Sequence, residues 1–369
     1  MTETQETQAT LATPATLVPQ ATREIPELHS AASSAPLLSI CIATRNRGNV
    51  IGATLDNILE QCGPQLELVV VDGASSDNTS TVVSARATAY PQLQYFPQAA
   101  NSGIDGDFDK AVALARGAYC WLLTDDDFLL PGAVARVLAA CQQGHEVIIV
   151  DAEVFTADLS AKLFARRLPF IGERRYGPAD ADQLLADCGQ HLSFIGAVVI
   201  RRYLWLSRER QRYYGTEFIH VGVLFQAALP GSVLAIGEPL IRIRYGVGNW
   251  TSRSFSVWMI KWPRLIWSFD GMSPSARAAV CPCEPWRSLV ALLLHRAKGS
   301  YSWQEFTQFV RPMAQPLWRT WVAGIVALLP GGLVNLAALF YARLFSPAQK
   351  GGIYDLQQSR YYWRQKRSV

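Results

Sequence analysis

Four consecutive residues, Thr124-Asp125-Asp126-Asp127, close the apolar run AYCWLL and precede FLLPGAV, a helix start with Pro131 in its first turn. Three adjacent carboxylates at the end of a buried run repel one another, and they cost stability unless a cation neutralises them. Hard oxygen donors on a short loop suit magnesium or manganese, the ions that hold a diphosphate. A helix cap accounts for one such Asp but not for the set. Asp72 ends another apolar run in VVVDGASSDNT, where Gly73 permits a sharp turn and Asp77 or Asn78 can cap the next helix. Alone it reads as a turn acid; with an acid cluster two strands further on, it reads as part of a nucleotide site. The turn after the first apolar run, ATRNRGN, is not G-x-G-x-x-G, and the chain has no P-loop, so dinucleotide-binding and P-loop readings fare poorly.

Positioning such acids takes strands that end together. Short apolar runs at 37–43, 66–72, 92–97, 118–123 and 146–151 predict buried strands, and amphipathic stretches at 49–61, 77–88, 106–116 and 131–142 predict the helices between them. That alternation predicts right-handed βαβ units and an open parallel sheet, which binds ligands beyond the carboxyl ends of its strands. TRNR, DGASSDNT and TDDD all fall at such ends. No internal repeat is visible. The expected organisation is a disordered tail over 1–36, a nucleotide-binding half over 37–155, an acceptor-binding half over 156–250 and a helical, membrane-associating region over 251–369.

The composition fits that division. Of 369 residues, 50% are apolar and 17% charged, with 11 Trp and a net charge of +4. The charge is too even for a nucleic-acid binder. The first 36 residues hold Arg23 against four Glu, a net of −3, which leaves +7 on the rest. Their acids and lack of an apolar run exclude a secretory signal, and Ala, Thr, Gln and Pro without periodicity read as a tail with no packed core. Seven scattered cysteines give no disulfide framework, and Cys281-Pro282-Cys283 lacks the second pair that zinc needs. In the last third, VWMIKWPRLIWSF gathers three Trp around two basic residues, and Thr320–Ala342 carries no charge between Arg319 and Arg343. Pro330-Gly331-Gly332 interrupts that run, which favours two short helices in a hairpin or in the membrane interface over one span. The end, RYYWRQKRSV, suits anionic headgroups.

The segments LLSICIATRNRGNVIGATLDNIL, VVVDGASSDNT and NSGIDGDFDKAVALARGAYCWLLTDDDFLLPGAV, in this order, resemble the nucleotide-binding half of a family 2, GT-A-fold glycosyltransferase. Within it the chain is most similar to the abequosyltransferase and rhamnosyltransferase-like group of bacterial surface polysaccharide synthesis, over roughly 37–250. The resemblance implies an α/β, GT-A-like open, mostly parallel sheet flanked by helices. It implies Thr44 and Asp72 at the nucleotide base, Asp125 at the ribose, and Asp126 or Asp127 on a divalent metal, Mg or Mn, at the diphosphate. Arg45 stands where the family commonly has Tyr, so base stacking falls to its guanidinium plane or another ring. Phe108 stands where a basic residue is frequent, which leaves Lys110 or Arg47 for the diphosphate. In similar enzymes a carboxylate about 90 residues beyond the metal motif is the base that deprotonates the acceptor hydroxyl. Glu217 lies 217 − 127 = 90 residues beyond Asp127, and His220 shares its face if the segment is helical, as a second candidate for base or metal ligand.

His191 reads as a semi-buried core histidine. Arg242, Arg244 and YGVGNW are read either as a cover for the diphosphate or as an edge strand and turn. The expected activity is metal-dependent transfer of a deoxyhexose, with inversion implied by the family. The donor is a nucleotide-diphosphate sugar, and the acceptor is a polyprenyl-linked oligosaccharide at the cytoplasmic face of the inner membrane. The alternatives are a sugar nucleotidyltransferase, whose Gly-rich basic first loop is missing, and a non-catalytic nucleotide-sugar-binding scaffold.

Overall fold

Strand β1 (Leu38–Thr44) is buried along its whole length, and so is β2 (Leu66–Asp72), as their largely apolar sequences require of strands covered on both faces; the polar exceptions inside them, Ser39 and Glu67, bond each other at 2.6 Å. The computed structural model describes residues 35–248, 253–313, 317–346 and 350–363. The expected tail over 1–36 lies outside them save for its last two residues, as does the basic end of RYYWRQKRSV. The first half runs β1, α1 (Ile51–Leu59), β2, α2 (Thr79–Ala89), β3 (Leu93–Pro97), α3 (Gly103–Leu114), β4 (Tyr119–Leu123), β5 (Phe128–Leu129) and α4 (Ala133–Cys141). Successive strand residues serve opposite layers. Ile40, Ile42, Leu68 and Val70 pack with Ile51, Leu55 and Ile58 of α1, whose spacing places them on one helical face. Cys41, Ala43, Val69 and Val71 pack with Phe108, Ala111 and Val112 of α3.

The second half contributes β6 (Val147–Thr156), β7 (Lys162–Phe164), β8 (Glu173–Tyr176), α5 (Ala181–Cys188), β9 (Val198–Arg201), α6 (Arg202–Ser207), α7 (Ile219–Phe225) and β10 (Val233–Tyr245). Together they complete a ten-stranded sheet of order β3-β2-β1-β4-β9-β6-β10-β5, with β7 on β6 and β8 on β10. The expected parallel order holds across β3-β2-β1-β4. Beyond it β9 enters antiparallel between β4 and β6, so the sheet as a whole is mixed. β6 runs on past its expected end at residue 151 to pair with β10, whose register shifts around Pro239. That irregularity carries Arg242–Tyr245 past Glu153–Thr156 to the end of β5, beside the acid cluster.

The remaining helices are α8 (Trp262–Trp267), α9 (Pro274–Val280), α10 (Leu289–Lys298), α11 (Leu317–Leu328), α12 (Gly331–Phe345) and α13 (Lys350–Gln357), with π-helical turns at Val257–Lys261 and Phe306–Val310. The Trp-rich segment expected to face a membrane turns inward instead. Trp262 is buried, its ring centroid 4.6 Å from that of Phe218, and Trp267 donates its indole N–H to the Cys281 carbonyl at 3.0 Å. Aromatic area of this size is worth more against a partner ring than against water. The exposed apolar surface lies later, on α11 and α12. These helices meet at a 95° bend at the Leu329-Pro330 break, and no single described helix is long and apolar enough to cross a membrane.

Candidate active site

The ends of β1, β2 and β4 bring the first site residues together. Thr44 donates its hydroxyl to Asp125 Oδ2 at 2.7 Å. Arg47, in the loop after β1, donates Nε to Asp125 Oδ1 at 3.1 Å, Nη2 to Asp126 Oδ2, and Nη1 to the Val247 carbonyl at 3.0 Å. Asp127 accepts the Thr124 hydroxyl and, at 2.9 Å, the backbone N–H of Arg244. Burial raises the pKa of all three carboxyls. The Asp126 charge pushes Asp125 further, to about 6, against the pull of Arg47 and Thr44. Asp126 is raised by burial and by Asp127, against Arg47 and Arg244; Asp127 is raised by burial, against the Thr124 hydrogen bond. Three acids with one paired arginine form a site short of positive charge.

That deficit is the chemistry a hard divalent cation answers, and carboxylates are its natural donors. The arrangement, however, is closed on Arg47, and among the described residues no three His, Cys, Asp or Glu side chains are gathered around one metal position. The donor set fits a divalent ion on the condition that Arg47 gives up Asp126.

Asp72, at the end of β2, accepts the Ser75 N–H at 2.9 Å and hydroxyl at 2.6 Å on one oxygen, and the Tyr95 hydroxyl at 2.7 Å on the other. Burial and the Asp72 charge push the Tyr95 phenol up to about 12, so it stays a donor. Gly73 follows, and a Cβ there would run into the Asp107 carboxylate of α3. Arg45 is exposed, and its charge acts on Asp107, whose pKa is raised mainly by burial. The structure does not bring Lys110 to the acid cluster. It bonds Gln98 and lines a separate depression of about 480 Å³ with Gly106 and Tyr214.

Glu217 sits just before α7 with its backbone at φ +70°, a left-handed conformation that costs a non-glycine residue strain and is worth a functional reading. Its Oε1 accepts Arg253 Nη1 and Lys261 Nζ, each at 2.8 Å, while Oε2 is buried with no partner. Asp105 of α3 holds this backbone, accepting the N–H of Glu217 at 2.8 Å and of Ile219 at 3.0 Å. α3 therefore sets Asp107 close against the Gly73 turn and holds the Glu217 loop through Asp105. His220 does not join Glu217. Its ring is buried, Nε2 donates to the Leu192 carbonyl at 2.7 Å, and burial lowers its pKa to about 4. It reads as a core histidine, as does His191, whose Nε2 meets the Val150 carbonyl at 2.8 Å.

Arg244 places its guanidinium 5.5 Å from the Phe128 ring and within 3.4 Å of the Ala157 carbonyl, at the rim of the acid cluster. Arg242 points elsewhere, to Glu153 at 2.6 Å, and it is no edge-strand residue either, since β10 pairs there with β6 on one side and β5 on the other. The sequence reading missed Asp105, Asp107, Tyr95, Arg253 and Lys261. The acids of α3, Asp105, Asp107 and Asp109, alternate with Gly106 and Phe108 in a helix whose one other charged residue is Lys110, and that pattern was the available signal.

Residues 39–204 match the family model Glycosyl transferase family 2. The chain belongs to that family. It is 25% identical over 221 residues to the abequosyltransferase of Salmonella typhimurium, spanning 56% of this chain and 66% of that protein. It is 35% identical over 226 residues to an uncharacterised protein of Mycobacterium tuberculosis, spanning 59% and 70%. The chain thus spans about two thirds of the length of these relatives. Among solved structures, S. aureus TarS 1-349 in complex with UDP-GlcNAc is similar at 15% identity and a TM-score of 0.49, over 87% of this chain and 90% of that one. The family 2 match takes in Thr44, Asp72 and Asp125–Asp127 and stops before Glu217 and Arg244, whose roles rest on the geometry above.

Proposed function

We propose that the protein transfers a hexosyl group from a nucleotide-diphosphate sugar to a hydroxyl of a lipid-linked saccharide in bacterial surface polysaccharide synthesis. The observation that carries this reading is the buried triplet Asp125–Asp127, short of positive charge and set beside Thr44 and Asp72 at the strand ends of a family 2 chain. Membership of that family and likeness to an abequosyltransferase support a nucleotide sugar as donor and a deoxyhexose as the sugar. Asp126 and Asp127 would hold a divalent ion, which supplies positive charge to the departing diphosphate.

The chain's own residues do the rest. Thr44 and Asp72 orient the nucleoside, and Arg45 offers a planar cation over the base. Arg47 moves from Asp126 toward the phosphate oxygens, and Arg244 closes on them from the rim. Glu217 takes the acceptor proton on Oε2 while Arg253 and Lys261 fix Oε1. As the acceptor oxygen bonds to the anomeric carbon, the bond from that carbon to the diphosphate breaks and its electron pair leaves with the nucleotide. Attack from the face opposite the leaving group gives inversion.

A lipid-linked acceptor gives the exposed helices α11 and α12 a use. Between Glu305 and Asp355 the chain has four cations, Arg311, Arg319, Arg343 and Lys350, and no acid. Apolar side chains framed by cations match an anionic bilayer surface, so the protein would sit peripherally on the cytoplasmic face of the inner membrane.

The test is a panel of nucleotide sugars assayed for thermal stabilisation and slow hydrolysis, with and without Mn2+. One sugar that stabilises the protein and is hydrolysed, with Asp126→Asn abolishing both, is the expected result. No response from any sugar would sink the proposal.

A further inference from the structure

A cavity of about 720 Å³ lies outside the acid cluster, among Arg253, Lys298, Gln308, Gln358 and Arg360. Its one acid, Glu305, is already committed, accepting the Ser302 N–H at 2.8 Å and hydroxyl at 2.6 Å as a helix cap. Lys298 is balanced by Asp355 at 2.5 Å, but no carboxylate among the described residues pairs with Arg360. Arg360 is placed by its neighbour. Gly299 ends α10 at φ +85°, and a Cβ there would meet Arg360 Cγ and Nε at 3.0 Å, so the glycine both closes the helix and lets this side chain lie against it.

Two further observations orient the cavity. Arg253 is shared, since its Nη1 holds Glu217, so the cavity opens beside the residue read as the base rather than beside Asp72. Its wall also backs onto the exposed hairpin. Phe309 lines the cavity and packs against the same apolar cluster to which Ala323, Val326 and Ala327 of α11 belong. Asn335 of α12 bonds the carbonyl of Ala297, one residue before Lys298.

We propose that this cavity binds the diphosphate of a prenyl-type lipid, the carrier of the acceptor saccharide, with the lipid tail leaving along α11 and α12. Arg360 adds a guanidinium without a carboxylate partner among the described residues to Lys298 and Arg253, which Asp355 and Glu217 already hold. With the amide donors between them, this suits a ligand with many acceptor oxygens better than a single carboxylate. The volume leaves room for a sugar between the diphosphate and Glu217. This assignment rests on the reading of the acceptor as lipid-linked, and its test separates the two.

Binding of farnesyl diphosphate, below its aggregation concentration, is measured on the full chain by calorimetry, beside nucleoside diphosphate, inorganic pyrophosphate and phosphatidylglycerol vesicles. Arg360→Gln is expected to weaken farnesyl diphosphate about ten-fold, by loss of a charge-assisted hydrogen bond, and to leave the nucleoside diphosphate unchanged. Asp126→Asn should do the reverse. Farnesyl diphosphate that is displaced by the nucleoside diphosphate, or that ignores Arg360→Gln, would overturn the assignment. So would an equal effect of Arg360→Gln on phosphatidylglycerol vesicles, which marks a general headgroup contact. If sugar transfer to a lipid acceptor is observed and the Arg360 effect is not, this inference fails alone; if no nucleotide sugar is turned over, the proposed function fails whatever the lipid binding shows.

Discussion

Arg47 and Asp125 meet across 78 residues of chain, Nε lying 3.1 Å from Oδ1, and the same guanidinium reaches Asp126. Both partners are largely buried, so this pair is unlike a surface salt bridge: removing the cation leaves two buried carboxylates uncompensated. Arg47→Gln is expected to destabilise the protein by about 2–4 kcal/mol at pH 8, and added Mn2+ should restore more of the loss than it adds to the parent. Thermal melts with and without Mn2+ decide it. An unchanged melting temperature would show that Arg47 does not balance the cluster.

The pH dependence follows from the same acids. Asp125, Asp126 and Asp127 all have folded pKa values raised above their ordinary range, Asp125 to about 6. The folded state therefore binds more protons than the unfolded one between about pH 4 and 6, and stability from this cluster falls as pH rises through that window. Replacing Asp126 by Asn removes one of the repelling charges. Asp126→Asn should melt higher than the parent at pH 8, differ little at pH 4, and show no sugar transfer. Denaturation midpoints across pH 4–8 check the sign; a variant less stable at pH 8 than the parent refutes it.

The strands and helices of the first half were legible because burial on both sheet faces leaves mostly apolar runs, and 66–72, apolar but for Glu67 and the terminal Asp72, is found as Leu66–Asp72. Asp72 and the Asp triplet were legible because acids at the ends of such runs have few structural uses. Arg47 was legible as a site residue but not as the partner of Asp126, since spacing carries no record of which charges meet across a sheet. His220 was read on a helical face with Glu217, but α7 begins only at Ile219, and the left-handed turn at Glu217 sends the two side chains apart. The Trp of 257–269 misled for a related reason: a Trp-rich, lightly charged segment has the same composition against a protein core as against a bilayer.

Asp105 is a positioning residue for Glu217 on this geometry. Burial pushes its carboxyl to about 6, and it accepts two backbone N–H groups that hold a strained turn. Losing that grip lets the Glu217 carboxylate drift, and a misplacement of about 1 Å can cost up to about 100-fold in rate. Asp105→Ala is expected to lower kcat with little change in donor KM, and Asp105→Asn, which keeps one acceptor oxygen, should recover part of the loss. Steady-state kinetics over donor concentration tells this from general unfolding, which would lower the active fraction without rescue by Asn.

His220 offers a contrast. Its neutral ring donates to the Leu192 carbonyl from a buried position, so His220→Phe should cost about 1–3 kcal/mol of stability through the orphaned carbonyl. The pH–rate profile of the folded fraction should keep its shape, and Mn2+ affinity should hold. A missing limb in that profile would return His220 to the chemistry.

The hairpin prediction turns on which face carries the apolar excess. Trp321 is 72% exposed on α11 and Phe340 67% exposed on α12, while Ala323, Val326 and Leu339 hold the inner faces against the protein. Polar substitution at the first two positions therefore leaves the packing untouched. A bilayer contact made by them should disappear, because burying a carboxylate in the interface is costly where an aromatic ring is favoured. Trp321→Asp with Phe340→Asp is expected to melt within a few degrees of the parent and to stop co-sedimenting with phosphatidylglycerol vesicles. Transfer to a short water-soluble acceptor should persist and transfer to a membrane-embedded one should fall. Light scattering separates a bilayer surface from a second copy of the chain: a parent that is dimeric and a variant that is monomeric, with vesicle binding absent in both, would assign this face to self-association instead.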